Sequence, residues 1–106
     1  MKTGIELISQ ERQEQIEKHG YTGEHHAAHP EWYDEGQLIS AAHMLSAYDP
    51  YRSPEDLYRR MVPLHWDKKW WQRMCDKPFK ERLIIAGALI AAEIDRLSQT
   101  NQTQQP

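Results

Sequence analysis

Glu11, Glu14 and Glu17 recur at intervals of three along the chain. Residues three apart share one face of a helix, so two of these carboxylates can converge on a hard cation such as Mg²⁺. Glu31 and Asp34 repeat the spacing, and two such pairs facing each other would make a site for Mg²⁺ and phosphate. The plain alternative is a solvated helix face, because 16 acidic residues in 106 produce about two or three acid-x-x-acid pairs by chance. Glu93 ends a long apolar run near its buried side, where an unpaired carboxylate is expensive. It therefore needs a partner, and Arg12, a lysine or a metal would serve.

Two further groups could carry chemistry. His25 and His29 stand four apart and would share a transition metal on a helix, but Gly23 and Pro30 oppose a helix and no cysteine lies near. One of these histidines facing phosphate or pairing a carboxylate is a second reading, and ordinary loop polarity a third. Trp66, Trp70 and Trp71 stand among His65, Asp67, Lys68 and Lys69. Flat rings stack on nucleobases and a lysine neutralises phosphate. Equally, tryptophans bury large areas and plug the end of a small bundle. Cys75 has no evident activating base and no glycine-rich phosphate loop exists. Any catalysis therefore falls to a positioned metal and its water.

The elements that must position these residues read as helices. Thr3 caps the first and Glu6 completes a capping box. Ile5, Leu7, Ile8 and Ile16 form its apolar stripe, and Gly20 stops it. Residues 21–33 read as a loop. A second helix is expected from Asp34 or Glu35 to Tyr48, with Leu38, Ala41, Ala42, Leu45 and Tyr48 on one face and Asp49-Pro50 as its end. Ser53-Pro54-Glu55-Asp56 opens a short helix before Pro63. Residues 63–76 read as a loop with at most one helical turn. Asp76 then caps a long helix to about Leu97, whose centre from Leu83 to Ala92 is apolar almost all round and belongs at the core. Gly87 inside it marks a close helix crossing, since glycine there costs about 1 kcal/mol. The expected fold is all-α, a small bundle of three or four helices with the long C-terminal helix buried at the centre. Residues 1–97 form one domain, and the polar tail 98–106 is expected to be disordered.

Composition narrows the function. The net charge is −3, against the basic excess that nucleic-acid backbones require. One cysteine excludes an internal disulfide framework and suits a reducing compartment. The start has no signal-peptide pattern, and the apolar run Leu83 to Ala92 is short of the ~20 residues of a bilayer span. A cytoplasmic protein without a membrane partner is the expectation.

The stretch from Glu11-Arg12-Gln13-Glu14-Gln15-Ile16 to Gly20-Tyr21-Thr22, followed by Glu24-His25, resembles the opening of small phage and prophage proteins with an ER-x-x-QI-x-x-x-G-[WY]-T-x-x-H pattern. Gly36-Gln37-Leu38, the Trp66 to Trp71 patch and the ending from Ala86-Gly87-Ala88 to Ile94-Asp95-Arg96-Leu97 are similar too. That group is MazG-like, within the all-α nucleotide pyrophosphohydrolases. The resemblance, over residues 5–97, implies a homodimer or higher oligomer in a bacterial host's cytoplasm. It also implies Mg²⁺-dependent hydrolysis of a nucleoside triphosphate to monophosphate and pyrophosphate. Glu11-x-x-Glu14 and Glu31-x-x-Asp34 match the group's metal motif, although Glu31 follows Pro30 in the loop and Glu81-x-x-Ile84 lacks a second acid. Glu93 or His25 can stand in for Glu31 and Asp34. In this reading Glu11 and Glu14 hold the metal and His25 orients water. Trp66 or Trp70 stacks on the base, and Arg12 or Lys69 touches phosphate. The competing expectation is a non-catalytic phage accessory protein that binds a host protein or sequesters a nucleotide signal.

Overall fold

The computed structural model describes residues 1–19, 36–47 and 57–104, and every regular element among them is a helix. Helix α1 spans Gly4–His19. It starts with the expected capping box: the Thr3 N–H donates to Glu6 Oε1 at 3.0 Å and the Glu6 N–H donates to Thr3 Oγ1 at 3.2 Å. The Thr3 backbone bond, and then its side chain, hold the Glu6 carboxyl below the ordinary glutamate pKa. The buried face differs from the expected stripe. Ile5 is 82% exposed, while Arg12 and Gln15 are buried. Positions 8, 12 and 15 follow one helical line, and that line meets the rest of the bundle, leaving Ile5 to one side.

Helix α2 is Gln37–Leu45, shorter at both ends than the periodicity predicts. Gly36 precedes it with φ 76°, a left-handed conformation that glycine adopts without steric cost. Leu38, Ala41, Ala42 and Leu45 are buried together, as their spacing requires. Tyr48, the Asp49-Pro50 stop and the Ser53-Pro54 start lie outside the described residues. Helix α3 is the single turn Leu57–Arg60.

Helix α4, Lys68–Cys75, corrects the loop expected over residues 63–76. Asp67 is its N-cap, accepting from the Trp70 N–H at 2.8 Å. Trp71, Met74 and Cys75 are its buried residues, a helical spacing hidden in the sequence by the lysines between the tryptophans. His65, at φ 71°, turns the chain ahead of Trp66. Asp76 closes α4 rather than opening the next helix, and its carboxylate accepts from Arg59 Nε at 2.9 Å.

Helix α5 runs Phe79–Gln104. It passes Leu97 and carries helix into the segment expected to be disordered. No glycine or proline interrupts residues 98–104, and extending a formed helix costs far less than starting one. Against α5 pack α1 and α2. Ile8 meets Gly87 and Arg12 meets Asp95, so α1 runs parallel to α5. The Leu45 carbonyl meets Arg82. The rest of α2 must therefore run back toward Leu89 and Ala92 to share their core, antiparallel to α5. The long helix is thus central, but not buried all round. Ile85, Ala86, Ala88, Leu89 and Ala92 are buried, whereas Leu83, Ile90, Ile94 and Leu97 are exposed.

The predicted close crossing falls at Gly87. A Cβ there would lie 2.6 Å from Ile8 Cδ1 and 2.9 Å from Ile8 Cγ1. Gly87→Leu is expected to lower stability by about 2 kcal/mol despite its better helix propensity, because the crossing is overpacked. Urea unfolding measures it. Adding Ile8→Ala should recover part of the loss, and a variant as stable as the parent would refute the crossing.

Candidate functional site

The candidate acids belong to the second half of α1. Glu11 and Glu14 are half-buried on the flank of the face that meets α5, and Glu17 is exposed. Between them Arg12 turns inward with its side chain only 9% exposed. Its Nε and Nη2 both donate to Asp95 Oδ2, at 3.1 and 2.8 Å. Nη1 reaches Gln15 Oε1 at 3.5 Å. Arg12, expected to touch phosphate, is thus engaged across the helix pair.

Glu93 has the partner that burial demands, though a different one from those the sequence suggested. Arg96, one turn along the same helix, donates from Nε to Glu93 Oε1 at 2.5 Å and from Nη2 to Oε2 at 3.3 Å. The two side chains are 11% and 15% exposed. A carboxylate gripped on both oxygens by a guanidinium is a poor ligand for a cation. The expectation of Glu93 as a metal ligand therefore gives way to an ion pair, because the i,i+3 neighbour needs no long reach. Gln37, at the start of α2, is also buried. With α2 antiparallel to α5, it belongs to the same end of the bundle as Glu93.

One end of the bundle therefore gathers Glu11, Arg12, Glu14 and Gln15 from α1, Gln37 from α2, and Glu93, Asp95 and Arg96 from α5. Buried polar groups at this density must satisfy one another. Among the described residues, no three histidine, cysteine or acidic side chains form a group that could hold a metal. His25, His29, Glu31 and Asp34 lie outside the described residues. On the outer side of α1, Glu14 and Glu17 also line an open groove of about 720 Å³ with Lys2, Glu6 and Gln10.

The aromatic patch is built as a packing unit. Trp71 is fully buried, and its Nε1–H donates to the Tyr58 carbonyl at 2.9 Å. The Trp66 ring lies 5.4 Å from Trp70 and 6.2 Å from Trp71. Trp66 and Trp70 are only half-buried against the core, and Lys68 and Lys69 are exposed. Sequence reasoning missed a second cavity of about 470 Å³ between α2 and α3, lined by Ile39, Ser40, His43, Met44, Tyr58 and Met61. His43 sits edge-on to Tyr58 there, with ring centroids 6.5 Å apart. Its signal was present in the outward positions 39, 40 and 43 of α2, but Tyr58 and Met61 join them only through tertiary packing.

No family model matches the chain, and neither a curated protein nor a solved structure matches it. The functional reading rests on the residues alone. Among the described residues no helix is long and apolar enough to cross a membrane.

Proposed function

We propose that the chain is a Mg²⁺-dependent nucleoside triphosphate pyrophosphohydrolase, converting a nucleoside triphosphate and water to the monophosphate and pyrophosphate. The observation that carries this reading is the Glu11/Glu14 pair beside the polar end of the bundle. In the sequence, His25, Glu31 and Asp34 lie in the segment that joins α1 to α2. The donor set suits the ion, since Mg²⁺ is commonly held by one or two carboxylates with water and substrate phosphate filling the rest. Glu11 and Glu14 would hold it there. Bound Mg²⁺ would neutralise charge on the phosphate oxygens. The pair Arg12–Asp95 ties α1 to α5 and so helps hold the two acids in place. His25 is the candidate for orienting water, Lys69 for touching phosphate, and Trp66 or Trp70 for stacking on the base.

The test is product release from a panel of ribo- and deoxyribonucleoside triphosphates with Mg²⁺ or Mn²⁺. Glu11→Gln should reduce turnover to background while changing stability by no more than about 1 kcal/mol, as for a surface-flank acid. Turnover that survives the substitution would exclude Glu11 from the site. One observation favours the accessory-protein reading: Arg12 and Glu93 are already held in ion pairs, with Asp95 and Arg96, and a mostly apolar cavity lies elsewhere, between α2 and α3. Absence of turnover with every nucleotide tested would move the assignment to that reading.

A further inference from the structure

The cavity between α2 and α3 belongs neither to the acid pair nor to the tryptophan patch, and its lining takes no residue from α1 or α5. Helical spacing builds one wall. Ile39 and His43 stand four apart on α2, as do Ser40 and Met44, so two adjacent lines of one helix face border the space. Tyr58 of α3 and Met61 just after it form the opposite wall. That wall is held from behind. The Tyr58 carbonyl accepts from Trp71 Nε1–H at 2.9 Å, and Arg59 Nε donates to Asp76 Oδ1 at 2.9 Å. Both bonds anchor the single turn α3 to α4, so the wall is positioned without an occupant, as in most small-molecule sites.

The volume, about 470 Å³, lies within the ~300–1,000 Å³ range of such sites. The lining chemistry selects the occupant. Met44 and Met61 contribute two thioethers, which make favourable contacts with aromatic rings, and Tyr58 offers a ring to pack against another. Three polar side chains, Ser40, His43 and Tyr58, interrupt this apolar surface. Among the described residues none of the three side chains is engaged in a hydrogen bond. No acid lines the cavity, whereas Arg60, next to Tyr58, is exposed. This balance favours an anionic end over a cationic one. It is too slight for a nucleoside triphosphate, whose several charges need more than one arginine and one histidine. From this geometry we infer that the cavity binds a small aromatic carboxylate. The ring packs against Met44, Met61 and Tyr58, and the carboxylate accepts from His43 and Ser40.

This inference is independent of the proposed chemistry, and its test reads binding rather than activity. Phenylpropanoate, titrated into the full chain at millimolar concentration, should give saturable changes in amide chemical shifts centred on α2 and α3. Phenylpropanol, with the same ring and no charge, should bind about ten-fold more weakly, the effect of losing one charge-assisted hydrogen bond. Ser40→Trp should fill the cavity and abolish binding with unchanged helical circular dichroism, because Ser40 is exposed. His43→Gln should weaken phenylpropanoate and leave phenylpropanol unaffected, a split that a purely structural role of His43 would not produce. Absence of saturable shifts with phenylpropanoate would overturn the inference, as would binding that survives in Ser40→Trp. Equal binding of phenylpropanol, or of the neutral amide of N-acetylphenylalanine, would overturn it too, the last in favour of a groove for a peptide side chain.

Discussion

Replacing Arg82 with methionine is expected to destabilise the bundle by about 3–5 kcal/mol, the range for removing one partner from a buried charged arrangement. Arg82 is 0% exposed. Its Nε donates to the Lys77 carbonyl at 3.0 Å, and its Nη1 to the carbonyls of Leu45 at 2.8 Å and Ala47 at 3.0 Å. One side chain thus ties the end of α2 to the turn between α4 and α5. Those carbonyls lie at helix ends, where no intrahelical donor remains. Methionine fills the volume of the stem but leaves the carbonyls unsatisfied, at about 1–3 kcal/mol each. Removing the buried charge returns some of that loss, which keeps the total below the simple sum. Arg82→Lys should fall between, since an ammonium lacks the planar fork that spans several acceptors. Urea midpoints of the variants would measure the effect. A midpoint equal to the parent's would mean that water replaces the guanidinium.

That role illustrates what the sequence could and could not say. Apolar periodicity alone located α1, α2 and α5, and Thr3 with Glu6 marked the start of α1 to the residue. Gly87 could be read as a crossing because glycine in a helix interior needs a reason. Arg82, in contrast, looks like a solvated charge preceding an apolar run. Nothing local reveals that three carbonyls from two distant turns converge on it. The same limit applied to Glu93. Its burial implied a partner, and Arg12, a lysine or a metal were the candidates; the structure instead pairs it with Arg96, while Arg12 turns to Asp95. Helix α4 was missed for another reason. Its buried residues follow helical spacing, but Lys68, Lys69 and Arg73 dilute the pattern over a span of eight residues, too short for periodicity to stand out. Of the candidate site, the acid pair on α1 was legible, whereas the Arg12–Asp95 pair beside it forms only when α1 and α5 meet.

Substituting the tryptophans one at a time separates packing from recognition. Trp71→Ala is expected to cost about 3–5 kcal/mol, the usual loss for emptying a large aromatic site in a core. Trp71 is fully buried among Met74, Cys75 and Leu45 in one cluster, and its indole N–H is bonded to Tyr58. The substitution opens a cavity and leaves that carbonyl without its donor. Trp66→Ala and Trp70→Ala should each cost less, about 1–2 kcal/mol, because both side chains are only partly buried. Trp66 and Trp70 each keep part of their surface toward water, and Trp71 keeps none. If the patch stacks on a nucleobase, Trp70→Ala will raise the KM for a nucleoside triphosphate while leaving thermal unfolding close to the parent's. If the patch is only a plug, stability will fall with each ring in proportion to its burial and nucleotide affinity will not change. Thermal melts beside nucleotide titrations of the same three variants distinguish these outcomes, because burial alone orders the stability losses and cannot produce a selective loss of binding in the most exposed rings.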